Sequence, residues 1–318
     1  MIKEKTVFVL GAGASKPFGF PTGAELKTNI CKNFIDKLKI CDLEKLRDIG
    51  LFPDEILRRA QLFINSFAGT PDLSIDSYIN INESFSYLAK KAIIFEILNC
   101  EKKLQDKFST DTINIDYDWF GYLFREMLEE TYSLETFFTN KVSFITFNYD
   151  SSLEYLFLKS LKNQFIDSEI KEILKFNEKI KIIHVYGRVS NPFMENRQNI
   201  KDGYRFGENA YFYGFDDQDV NNILTISERS GEQNVDIRNE LNSAKRIFIL
   251  GFGFNKENVD MLKFDANKEQ WLFATGIGLT EKETIKKKSY LIKITKIQGL
   301  FSNIFIDENC YSLLRNHL

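Results

Sequence analysis

The sequence predicts an α/β fold: a doubly wound, mostly parallel sheet with a large helical insertion. Three observations lead there. Six short apolar runs rich in β-branched and aromatic residues read as buried parallel strands: Thr6–Leu10, Val142–Phe147, Ile180–Tyr186, Arg246–Gly251, Gln270–Ala274 and Ser289–Ile294. Most of them close on Gly, Asn, Asp or His. Helical patterns follow several of them, and that alternation marks crossover connections. Ligands of such sheets bind beyond the carboxyl ends of the strands.

The chain has 318 residues, of which 43% are hydrophobic and 27% charged, the balance of a soluble globular protein. Its 30 Phe predict an aromatic-rich interior. A net charge of −3 without a long basic stripe argues against nucleic acid as a direct partner. The Lys286-Lys287-Lys288 run reads as a solvated face. Cys31, Cys41, Cys100 and Cys310 include no C-x-x-C pair, so they read as scattered thiols of a reducing compartment. Neither a metal site nor structural zinc is expected from them. The apolar run Val7–Leu10 is too short for a signal segment, and no stretch approaches the roughly 18 apolar residues of a membrane span. A cytoplasmic protein without membrane contact is expected.

Residues 24–140 interrupt the strand alternation. "AELKTNICKNFIDKLK", "DEILRRAQLFINSF", Ser77–Gln105 and "DWFGYLFREMLEETY" repeat apolar positions at helical spacing. They read as a helical insertion between the first two strands. A second insertion, 190–243, is more polar and punctuated by Gly. With no repeat or low-complexity linker, 1–318 reads as one compound domain.

Candidate chemistry gathers at strand ends. Gly11-Ala12-Gly13 follows a strand and precedes a helix, where missing Cβ atoms allow close approach to a pyrophosphate. A tight turn without a ligand explains the same residues. Lys16 occupies the third glycine position of the dehydrogenase fingerprint, and Pro17 and Pro21 interrupt a helix begun directly after the turn. "FITFNYD" repeats polar groups at Thr146, Asn148 and Asp150, although a turn or N-cap accounts for part of that pattern. "IKIIHVYGRV" ends a strand on His184, which is either a core histidine or a group facing the crevice. "RIFILGFGFNKENVDML" ends on Gly251-Phe252-Gly253, with Asn258 beyond.

Together these stretches resemble the sirtuin superfamily. The resemblance rests on Gly11-Ala12-Gly13-Ala14-Ser15, Gly19-Phe20-Pro21, Thr146-Phe147-Asn148-Tyr149-Asp150, and His184 followed by Gly187, in the family's order. The chain departs from it in lacking paired zinc-ribbon cysteines, in Phe147 where the family has Gln, and in the spread His-Val-Tyr-Gly. "SIDSYI" and "GFPTGAEL" look more like the bacterial sirtuin-like proteins of antiviral defence, which hydrolyse NAD to nicotinamide and ADP-ribose.

The resemblance implies a Rossmann-like domain that takes NAD as substrate and uses no zinc. Asn148 and His184 would be catalytic, positioning water and ribose and acting as base. Gly11, Ala12, Gly13 and Ser15 would hold phosphate, and Asp150 the nicotinamide carboxamide. Pro21, Thr22, Thr146, Gly251, Phe252 and Asn258 would complete the pocket. Asp76 belongs either to that pocket or to a helix start. The resemblance also implies a homo-oligomer and an inactive state relieved by oligomerisation, a partner ATPase or a phage-derived activator. A deacylase, an ADP-ribosyltransferase and a non-catalytic NAD or ADP-ribose sensor remain open.

Overall fold

The computed structural model describes residues 1–41, 52–71, 74–110, 118–166, 170–194, 203–209, 217–225, 227–228, 231–263, 270–295, 305–306 and 308–318. Its strands are β1 (Thr6–Leu10), β2 (Val142–Thr146), β3 (Lys181–His184), β4 (Ser190–Asn191), β5 (Tyr204–Arg205), β6 (Arg246–Leu250), β7 (Trp271–Thr275) and β8 (Phe305–Ile306). Six of them form one sheet in the order β3-β2-β1-β6-β7-β8. Every pairing in it is parallel. β4 and β5 pair separately. The chain runs outward from β1 through β2 to β3, then returns to β6 on the other side of β1. That reversal gives a doubly wound, Rossmann-like sheet with its switch point between β1 and β6, the usual place for a ligand crevice in such sheets.

The central strand is Thr-Val-Phe-Val-Leu, and all five residues are buried. In register, Phe8 lies between Phe144 of β2 and Phe248 of β6. The rings stack at 5.3 and 5.5 Å, and Phe273 of β7 extends the row at 5.0 Å from Phe248. His317 closes the row, stacked on Phe273 at 4.6 Å. Part of the phenylalanine excess is therefore one aromatic row across four adjacent strands, whose flat rings fit the even spacing of a parallel ladder.

Between β1 and β2 the described residues form the helices Gly23–Ile40, Pro53–Ala68, Ile75–Ile81, Ser86–Thr110, Trp119–Leu128 and Leu134–Phe137. Between β3 and β6 lie β4, β5, the 3-10 segment Asp217–Asn222 and the helix Gly231–Ser243. Residues 42–51, 72–73 and 111–117 of the first predicted insertion, and 195–202, 210–216, 226 and 229–230 of the second, lie outside the described residues. No described helix is long and apolar enough to cross a membrane.

One expected strand is a helix. Ser289–Ile294 lies within the helix Glu281–Thr295. The start of that helix is fixed by Thr280 and Glu283: the Glu283 carboxylate accepts from Thr280 N–H at 2.9 Å, and Glu283 N–H donates to Thr280 Oγ1 at 3.3 Å. This reciprocal cap outweighs the short apolar run downstream. The sixth strand is Phe305–Ile306 instead.

Candidate functional site

Beyond β1 the chain makes a single helical turn, Ala12–Ser15, then a 3-10 turn, Lys16–Phe18, which stops at Gly19 with φ +92°. The long helix starts afresh at Gly23, capped reciprocally by Thr22 and Glu25. The two prolines thus divide what would otherwise be one helix.

The glycine turn packs against the loop that leaves β6. Gly11 N–H donates to Leu250 O at 3.0 Å and Gly13 N–H to Gly251 O at 2.9 Å. A Cβ on Gly11 would lie 2.6 Å from Gly251 O, and one on Gly13 2.8 Å from Gly251 Cα. Gly251 itself has φ +58°, and a Cβ there would lie 2.1 Å from Ala14 N. These glycines are required by contact between two backbones. The sequence reading assigned the turn's amides to phosphate, but the Gly11 and Gly13 amides are engaged by β6, and Ala14 N–H bonds Gly11 O at 2.9 Å.

At this switch point lies a cleft of about 790 Å³, lined by Ala12, Gly13, Lys16, Thr22, Trp119, Gly251, Phe252, Thr275, Asn309 and Tyr311 among others. Its volume is that of small-molecule sites. Trp119 Nε1 donates to Ala14 O at 2.7 Å, so the insertion holds the turn from outside. Thr275 Oγ1 accepts from Gly251 N–H at 2.8 Å, tying the β7 end to the same loop. Lys16 pairs with Glu25 at 2.8 Å. That lysine, with the Thr22 donors, holds the Glu25 carboxyl down at about 2. Of the expected pocket residues, Ala12, Gly13, Thr22, Gly251 and Phe252 line the cleft. Trp119, Asn309 and Tyr311 have no sequence signature for this role; only the fold brings them to β1.

Behind the turn, Ser15, Asn148 and Asp150 converge. Asn148 Nδ2 donates to Gly11 O at 3.1 Å and to Ser15 Oγ at 2.9 Å. Because a carbonyl only accepts, that pairing fixes which way the amide faces. Among the described residues, Asn148 Oδ1 is then buried without a hydrogen-bond partner. Ser15 Oγ donates to Asp150 Oδ1 at 3.1 Å, and Ser152 N–H donates to the same oxygen at 3.1 Å. Burial raises the Asp150 pKa despite these donors. Thr146 Oγ1 accepts from Asn148 N–H at 3.1 Å and so shapes the bend after β2.

His184 has different neighbours. Its Nε2 lies 2.7 Å from Glu154 Oε1 on the helix Ser152–Gln164, and it lines a second hollow with Arg188 and Asn177. The sequence reading places His184 and Asn148 at one crevice; in the structure His184 lines the second hollow, and Asn148 is in the lining of neither hollow. The buried Glu154 carboxylate draws the imidazole to itself, because an unpaired buried charge is costly. Burial works to raise the Glu154 pKa, but His184 and Arg188 together lower it. The strand-end position facing the crevice loops is taken by Tyr186: its hydroxyl donates to Asn258 Oδ1, and its ring lies 6.0 Å from Phe147. Phe147 in turn meets Phe252 edge to face at 4.9 Å. Tyr149 donates to Asp76, whose carboxyl burial raises. Pro21 is half-buried ahead of the Thr22 cap.

Among the described residues, no group of three or more His, Cys, Asp or Glu side chains could hold a metal ion. Compared with known proteins, the chain matches no family model and no curated protein.

Proposed function

We propose that this chain binds NAD in the cleft at the β1/β6 switch point and cleaves it to nicotinamide and ADP-ribose. The observation that carries the reading is Asn148: an amide locked against the glycine turn, with a buried oxygen left unpaired. A buried acceptor without a donor costs about 1–3 kcal/mol, which a purely structural role leaves unrecovered. A ribose hydroxyl or a water molecule at that oxygen would supply the missing donor.

In the reaction, the bond between ribose C1′ and the nicotinamide nitrogen breaks, and its electron pair goes to the nitrogen. That nitrogen is cationic beforehand, so no proton is needed on the leaving group. Water adds its oxygen to C1′ and releases a proton to solvent. The protein's part is to hold the ribose and the water while positive charge develops. Asn148 orients the hydroxyl or water, and Ser15 and Asp150 hold Asn148 in place. At the pyrophosphate that bridges the two halves of NAD, Lys16, which also pairs with Glu25, offers charge at the cleft wall in place of the engaged Gly11 and Gly13 amides. His184 has no assigned step, since it pairs with Glu154 in the other hollow.

The resemblance to defence sirtuins supports a wider role as an effector that depletes NAD, held inactive until oligomerisation, a partner ATPase or a phage protein releases it. One observation favours a second reading. With His184 turned away and two turn amides engaged, the cleft could serve a non-catalytic NAD or ADP-ribose sensor. Calorimetry with NAD, run beside an assay of free nicotinamide, separates the two: binding with release supports hydrolysis, and binding without release supports the sensor.

A further inference from the structure

The hollow beside β3 has a volume of about 610 Å³ and is walled by Glu154, Asn177, His184, Arg188 and Asn191 among others. Its charges are arranged unequally. Glu154 is buried and its Oε1 is approached by two partners, His184 Nε2 at 2.7 Å and Arg188 NH1 at 3.4 Å. The single carboxylate is therefore answered twice. The Arg188 side chain is 32% exposed, and that one long contact is its guanidinium's only hydrogen bond among the described residues. A guanidinium has five N–H donors in a planar fork, so most of its donor capacity faces the hollow unused. The Asn177 amide at the same wall likewise makes no hydrogen bond among the described residues. Asn191 uses its oxygen to accept from Phe193 N–H at 3.1 Å, which leaves its amino group as the free end.

Glu154 Oε2 and His184 Nδ1 are buried without a partner among the described residues, but the unused capacity at the open wall is that of donors around a partly exposed guanidinium, and the matching ligand is an oxyanion. We propose that this hollow binds the phosphate group of a small phosphorylated molecule, with Arg188 as its two-pronged anchor and the Asn177 and Asn191 amides beside it. Phosphate is favoured over carboxylate because its tetrahedral oxygens can meet the fork and the flanking amides together. In this arrangement the Glu154–His184 pair is a positioning element: Glu154 Oε1 holds one nitrogen of the Arg188 guanidinium at 3.4 Å. The inference does not rest on NAD chemistry, and its site is separate from the cleft.

The test is titration of the full chain with inorganic phosphate, with acetate as the carboxylate arm, followed by calorimetry and by amide chemical shifts. Saturable phosphate binding is expected, with acetate binding more weakly. Arg188→Ala should weaken it by about tenfold or more, and Arg188→Lys by less, since an ammonium keeps the charge without the fork. Asn177→Ala, on an exposed residue, should weaken binding without touching the buried pair. Lys16→Ala, in the other cleft, should leave it unchanged. No saturable binding by about 10 mM phosphate would overturn the proposal. So would full affinity in folded Arg188→Ala, or loss of binding in Lys16→Ala instead.

Discussion

Gly13 and Gly251 lie backbone against backbone, with the Gly13 amide donating to the Gly251 carbonyl at 2.9 Å. This contact joins the ends of β1 and β6 at the switch point, and it explains why glycine is needed on both sides. A side chain at either position meets main chain, which cannot swing aside as a flexible side chain would.

Gly251→Ala is therefore expected to be severe. It adds a Cβ 2.1 Å from Ala14 N at a residue with φ +58°. A loss of about 3 kcal/mol or more is expected from the combined strain and overlap. Gly253→Ala is the control, because a Cβ there meets nothing closer than Asn255 Oδ1 at 3.9 Å. Denaturant unfolding of both variants checks the contrast, and equal stabilities would contradict it.

The aromatic row makes a second prediction. Phe8 is fully buried between Phe144 and Phe248. Phe8→Ala should cost about 3–5 kcal/mol, while Phe8→Leu, which keeps most of the volume, should cost much less. Thermal melts of the two variants measure this.

Glu101 makes the stability depend on pH. Its carboxylate is buried and accepts from Ser190 Oγ at 2.7 Å, Ser151 N–H at 3.2 Å and Gly207 N–H at 3.3 Å. Burial nevertheless pushes its pKa up from 4.5 to about 8. Between those values the folded chain holds a proton that the unfolded chain has released, so Glu101 lowers stability as pH rises through that window. Glu101→Gln should flatten the fall. Denaturation midpoints from pH 5 to 8 test it, and parallel curves for the two proteins would remove Glu101 from the effect.

His184→Ala is expected to act on stability. It leaves the buried Glu154 carboxylate with Arg188 alone, at 3.4 Å. Breaking such a pair from one side costs about 3–5 kcal/mol. The melting temperature should fall while nicotinamide release per folded molecule is kept. Loss of release in a variant that melts normally would return His184 to the chemistry.

Much of this was legible in the sequence, for local reasons. Val7–Leu10 is apolar throughout because both faces of its sheet are covered, and the glycines after it mark where backbones meet. The insertion helices repeat apolar residues at their own period. The sequence misplaced what depends on partners far along the chain. Gly251 engages the Gly13 amide from 238 positions away, so the turn read as a phosphate cradle. Glu154 captures His184 across 30 residues, and no local pattern marks that pairing. The error at Ser289–Ile294 was avoidable, since Thr280-x-x-Glu283 upstream is a capping signal readable from residues alone.

If Asn148 serves NAD cleavage, as proposed, its removal shows first in the rate of nicotinamide release. The most direct measurement is the rate of free nicotinamide release from NAD by the purified full chain, compared with Asn148→Ala over a range of protein concentrations that allows assembly. Release by the native chain is expected, with a rate about 10² to 10⁴ lower in folded Asn148→Ala, the usual loss when a group that positions the reacting water is removed. Equal rates in the two proteins, or no release by the native chain at any concentration, would contradict it.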